Sequence, residues 1–302
     1  MKKIIALMLT LAMALSLAAC GGSSSASTET TEAAASGAAS ADASSGAASS
    51  EAADASGAAS AETADAAGES DLAYVKEKGT LVVGITDFEP MDYKDDSVEW
   101  IGFDADLARK FAENLGVTAE FVEIDWDNKA LELDGKSIDC VWNGMTLTDE
   151  VRSAMECSQA YLNNAQVVVV KSDVADQYQD VASLADLTFA VEAGSAGKEQ
   201  ADANGLKYTE VQNQAAALME VAAGTSDAAI IDSLMAAAMV GEGTSYADMT
   251  YTVGLNSEEY GVGFRKGSDL ASELNSFLDT CKSNGTLEQI AGTYKVQAAL
   301  VK

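Results

Sequence analysis

From Thr80 onward, short apolar runs alternate with amphipathic helical segments, and that alternation leaves few folds open to the chain. In "GTLVVGITDF", Leu81, Val82, Val83 and Ile85 make an apolar run rich in β-branched residues, interrupted only by Gly84 and flanked by glycine, the pattern of a buried strand. "DADLARKFAENLG" follows, with Leu107, Phe111 and Leu115 four apart and Gly116 as the stop, which predicts an amphipathic helix. "AEFVEI", "SIDCVW", "NAQVVVVK", "LTFAVEAG", "DAAIID" and "YGVGF" read as further strands. "QAAALMEVAAG", "SDLASELNSFLDTCKSNG" and "TLEQIAGTY" read as helices, the last with Thr286 and Gln289 at capping-box spacing. The order predicts an α/β fold with mainly parallel sheets. The one proline, Pro90, falls just after the first strand, where a loop turns without a free amide.

The front of the chain obeys different rules. Lys2 and Lys3 precede an apolar segment over residues 4–17, too short to span a bilayer and of the right length for a signal peptide. "LAAC" then sets Leu17, Ala18 and Ala19 directly before Cys20. This resembles the lipobox of bacterial lipoproteins and implies that residues 1–19 are removed and that the Cys20 thiol carries diacylglycerol, whose two chains suffice for stable anchoring. Residues 21–70 are almost wholly Ala, Ser, Gly, Thr, Glu and Asp, without an aromatic residue, Lys or Arg. Such a composition buries too little apolar surface to offset chain entropy, so residues 20–70 read as a lipidated cysteine and a flexible anionic tether. A leash of this kind suits a protein on the extracellular face of the cell membrane in a Gram-positive type of bacterium.

Residues 71–302 are too many for one small core and suit two lobes. The net charge of -30 makes nucleic acid and anionic membrane surfaces poor partners. The absence of histidine excludes His-based triads and argues against a transition-metal site; no cofactor is expected either. Beyond Cys20, the thiols of Cys140, Cys157 and Cys281 read as buried and unpaired, with a bridge between the first two left open.

In open α/β sheets ligands bind beyond the carboxyl ends of the strands. Asp87 and Phe88 follow the first strand, and Asp125 and Trp126 the second. "CVWNGMTLTDE" ends in Asn143, Gly144, Met145 and Thr146, with Thr148 set to cap a helix. "FAVEAGSAGKE" carries Glu192 and then runs through Gly194, Ser195, Ala196 and Gly197 into a helix whose free amides attract an anion. "AAIIDS" ends in Asp232. Together these residues describe a site for a small polar molecule.

"GFDADLARKFAENLG", "DWDNKALELDGKSIDCVWNGMTLTDE", "CSQAY", "VEAGSAG" and "NGTLEQIAGTYK" resemble, in order and spacing, the polar amino-acid family of solute-binding proteins that feed ABC importers. The resemblance covers residues 80–295. It implies a two-lobed periplasmic-binding-protein-like fold: lobe 1 from residues 71–165 and 261–302, lobe 2 from residues 166–260, and hinges near residues 161–165 and 260–264. It also implies a monomer that closes on an amino acid or related amine and presents it to a permease. Phe88 and Trp126 correspond to the aromatic pair around the ligand, Asn143, Gly144 and Thr146 to first-lobe polar contacts, Ser195 and Ala196 to second-lobe ones, and Asp232 to the carboxylate that receives an ammonium.

Two departures bear on the ligand. Where the family's T-x-E-R pattern has an arginine for the ligand carboxylate, this chain has Val151, with Arg152 one place later and turned by about 100°. Glu192 stands where some relatives carry lysine. Both favour a cationic or neutral polar ligand, or an amino acid whose carboxylate is held only by the amides near Ser195, unless Arg152 reaches the cleft. Alternatives are a dehydratase-like cleft enzyme of the same fold, with Glu192 as acid or base, and a ligand-sensing surface lipoprotein. "SAGK" and "DGKS" match short hydrolase and phosphate-loop patterns, but their required companions are missing.

Overall fold

The computed structural model describes residues 70–302; the signal segment, Cys20 and residues up to 69 lie outside the described residues. Helix α1 (Asp71–Lys78) comes first, its start capped by Ser70 and its end by Gly79 at φ 80. The first lobe continues with β1 (Thr80–Ile85), β2 (Tyr93–Lys94), β3 (Trp100–Ile101), α2 (Phe103–Leu115), β4 (Thr118–Glu123), α3 (Lys129–Asp134), β5 (Cys140–Thr146), α4 (Asp149–Ala154), β6 (Glu156–Cys157) and β7 (Leu162–Asn164). The second holds β8 (Gln166–Lys171), β9 (Thr188–Glu192), α5 (Ala196–Ala203), β10 (Lys207–Val211), α6 (Gln214–Ala223), β11 (Ala228–Asp232), α7 (Ser233–Met239) and β12 (Met249–Gly254). The chain then returns to the first lobe as β13 (Glu258–Phe264), α8 (Leu270–Ser283) and α9 (Thr286–Thr293).

Each lobe is built on one sheet, in the orders β4-β1-β5-β13-β6 and β10-β9-β11-β8-β12. The first three strands of each run parallel. Strands β8, β12 and β13 pair antiparallel with their neighbours, so the sheets are mixed rather than mainly parallel. Strands covered on both faces carry unbroken apolar runs: Val167 to Val170 in β8 are all buried, as is every residue of β9 after Thr188. Strands β10 and β12 are edge strands with partly exposed, polar sequences, and the apolar pattern does not announce them.

The chain crosses between sheets twice. Strand β7 lies against β13, with Asn164 opposite Glu258 and Leu162 opposite Tyr260, while the Leu255 amide donates to Gln166 O at 2.8 Å in the second sheet. Residues 260–264 are therefore not the second crossing: Tyr260 pairs with Thr146 and Phe264 with Cys140 deep in the first sheet, and second-lobe residues end before Glu258. The capping box expected at Thr286 is also absent. Gly285, at φ 80, holds the cap position, and the Asn284 side chain accepts from the Thr286 amide at 2.9 Å instead.

Arg265 ties the return segment to the first helix. Its guanidinium forks onto Asp71 at 2.9–3.0 Å and also donates to Ile138 O at 2.8 Å. Asp139, 3.5 Å away, is further paired with Lys78 at 2.6 Å. The three thiols are free; Cys140 and Cys281 are buried and Cys157 half-buried, so no 140–157 bridge forms.

Candidate functional site

The carboxyl ends of the strands face one another across a narrow cleft between the lobes. Phe88, Trp126, Asn143, Gly144, Met145 and Thr146 line it from the first lobe. Glu192, Gly194, Ser195, Ala196 and Asp232 line it from the second.

On the first-lobe side Phe88 stands edge-on to Tyr260, with ring centres 6.4 Å apart. Phe88 and Trp126 are 3% and 7% exposed, so each serves its lobe's core and still turns one surface to the cleft. Gly144 sits at φ +55, where an added Cβ would meet the Phe88 ring at 2.6 Å, and its amide donates to the buried Asp104 carboxylate at 2.6 Å. Burial lifts Asp104 to about 6, against the pull of that amide and of the Tyr161 hydroxyl. Asn143 lines the cleft, but its amide is fully engaged inside the lobe: Oδ1 accepts from the Thr86 amide and hydroxyl, and Nδ2 donates to Thr86 O and Asp92. It braces the ends of β1 and β5.

Across the cleft, Ser195 caps α5 by accepting from the Lys198 amide at 3.1 Å, which leaves its O–H free to donate. Asp232 occupies the cap position of α7 without capping it. Its carboxylate instead accepts from the side-chain amides of Asn164, Gln166 and Gln214. Burial and the neighbouring Glu258, which shares Asn164 and Gln166 as donors, push the Asp232 carboxyl well above the usual range.

Three expected residues stand elsewhere. Asp87 is exposed and points away, because side chains alternate along an extended segment and it is Thr86 that faces the cleft. Gly197 is packed behind the wall, its Cβ position 3.0 Å from Ile230 O. Arg152 is exposed, with Nε donating to Leu147 O at 3.3 Å, while Val151, 8% exposed, takes the cleft position. One residue along α4 separates the two faces.

The lining also includes Thr86, Lys129, Thr148, Val151, Gln166, Glu199 and Gln214, which the sequence reading did not assign to the cleft. Lys129 is the most consequential. Three residues after Trp126, it lays its ammonium 5.0 Å above that indole and donates to Trp126 O at 3.2 Å and, across the cleft, to Gly194 O at 2.9 Å. Burial lowers its pKa, opposed first by Glu192 and then by Asp127, Glu150 and Glu199.

The family model of bacterial extracellular solute-binding proteins, family 3, matches residues 81–297. The arginine-binding extracellular protein ArtP of Bacillus subtilis is 32% identical over 70% of this chain and 85% of its own length. A histidine-bound ABC uptake transporter substrate-binding protein from Streptococcus pneumoniae superposes with a TM-score of 0.72 at 28% identity, over 78% of this chain and 99% of that one. An ancestral amino acid-binding protein, AncCDT-1, described as a precursor of cyclohexadienyl dehydratase, gives 0.68 at 32% identity, over 74% and 99% of the two chains. With two facing α/β lobes and a polar cleft between the strand ends, this chain belongs to the family 3 bacterial extracellular solute-binding proteins.

Proposed function

We propose that the protein captures a small amino-acid-type solute between its lobes and delivers it to the permease of an ABC importer, held at the outer face of the membrane by a lipidated Cys20. The observation that carries this reading is the convergence on one small space of two aromatic surfaces from the first lobe and, from the second, a free hydroxyl, helix-start amides and a carboxylate. Ser195 O–H and the first amides of α5 suit a carboxylate or other polar acceptor, and Asp232 suits an ammonium, whose burial requires a paired anion. Contacts to both lobes favour the closed arrangement, which a permease then recognises.

Thermal unfolding of the purified protein against amino acids, amines, sugars and nucleosides tests the reading. A ligand at a hundred times its Kd adds about 2.7 kcal/mol, a clear rise in Tm. Amino acids or amines are expected to produce the rise and Trp126→Ala to abolish it; a rise with sugars or nucleosides alone would overturn the assignment. Cys20→Ala is expected to move the protein from the membrane fraction to the medium.

A further inference from the structure

Among the described residues lining the cleft, one cation, Lys129, faces three carboxylates, Glu192, Glu199 and Asp232. The ammonium of Lys129 is engaged by two backbone carbonyls. Asp232 already accepts from three side-chain amides. Glu192 differs from both: at the end of β9 it is 3% exposed, and its Oε1 has no hydrogen-bond partner within the protein. A buried acceptor left so costs free energy unless a donor comes to it, and a binding cleft is where a donor can come. We propose that Glu192 is the specificity-determining residue of the cleft and receives a positively charged, hydrogen-bond-donating head of the ligand, so that the solute is a cation at neutral pH. This rests on the solute-binding reading above.

The surroundings of Glu192 give the proposal a signature. Burial pushes its carboxyl up to about 8, Lys129 and the Gln214 side chain pull it down, and Asp125 pushes it up. Asp232 on the neighbouring β11 is the other acid that feels it. In the ligand-free cleft at pH 7 Glu192 is therefore largely protonated. A cation arriving at Oε1 favours the carboxylate, so the carboxyl proton leaves to buffer as the ammonium or guanidinium takes its place. Binding then releases close to one proton, and affinity rises on the order of tenfold per pH unit below about 8 and levels above it.

The experiment is calorimetric titration of the purified protein with L-arginine, L-lysine, agmatine and putrescine, against the uncharged L-citrulline and L-glutamine and against L-glutamate, in buffers of different ionisation enthalpy. At least one cation is expected to bind ten times or more tighter than every uncharged or acidic compound, with proton release near one. Glu192→Gln is expected to erase both the release and most of the preference; its ligand-free Tm reports whether it folds, and proton release by the unmutated protein does not depend on it. Tighter binding of glutamine, citrulline or glutamate, or cation binding without proton release, overturns the proposal while solute binding stands. If no compound in the panel binds, both readings fall.

Discussion

Two charge clusters among the described residues are built on opposite plans. At the base of the first lobe, Arg265 and Lys78 meet Asp71 and Asp139, two cations for two carboxylates, with the guanidinium also bonded to backbone carbonyls. In the cleft Glu192, Glu199 and Asp232 meet, Asp232 held by polar amides it shares with Glu258 behind it, and Lys129 is the only cation among the described lining residues. The first group is closed on itself and fastens α1 to the end of β13. The second is left short of positive charge, and Glu192 Oε1 short of a donor. The first cluster is completed by the fold; the second is left for a ligand to complete.

Breaking each group should give different symptoms. Arg265→Ala leaves the buried Asp71 without its cation and Asp139 with Lys78 alone, and is expected to cost about 3–5 kcal/mol in denaturant unfolding, with ligand affinity below the transition unchanged. Glu192→Gln should instead change the pH dependence of the ligand-free protein. Because the folded protein holds the Glu192 proton up to about 8, its contribution is fully present below the ordinary carboxyl range and is lost as the pH rises to 8. Unfolding curves from pH 5 to 8 should show the unmutated protein losing on the order of 3 kcal/mol more than the variant over that span. The smallest effect is expected at Arg152→Ala: with the side chain exposed and out of the cleft, stability should move by less than about 0.5 kcal/mol and ligand affinity not at all. A tenfold loss of affinity there would return the arginine to the site.

Fold and site were legible to different depths. Central strands announced themselves, because burial on both faces demands unbroken apolar runs such as Val167 to Val170, whereas β10 and β12 met solvent and lost that signal. The strand-end rule found most of the cleft wall. It misplaced Asp87 by one residue, since an extended backbone sends neighbours to opposite sides, and Thr86 faces in. It gave Asn143 to the ligand although the brace to Thr86 and Asp92 uses its amide, a pairing between residues about fifty positions apart that no local pattern contains. Gln166 and Gln214, which hold Asp232, likewise come from other elements, as does the contact between Lys129 and Gly194. Local periodicity reveals which face is buried; it does not reveal which distant polar group is waiting there.

That last contact has a kinetic consequence. Gly194 stands at φ +66 with the space for its Cβ only 2.8 Å from the Asp127 backbone, so the two lobes meet there main chain to main chain, and Lys129 closes the seam with its bond to Gly194 O. The bond joins two of the protein's own groups, although both residues also line the cleft. Each opening must break it whatever lies inside, so the residence time of every solute carries the same common factor, and cargoes differ only in what they add to it.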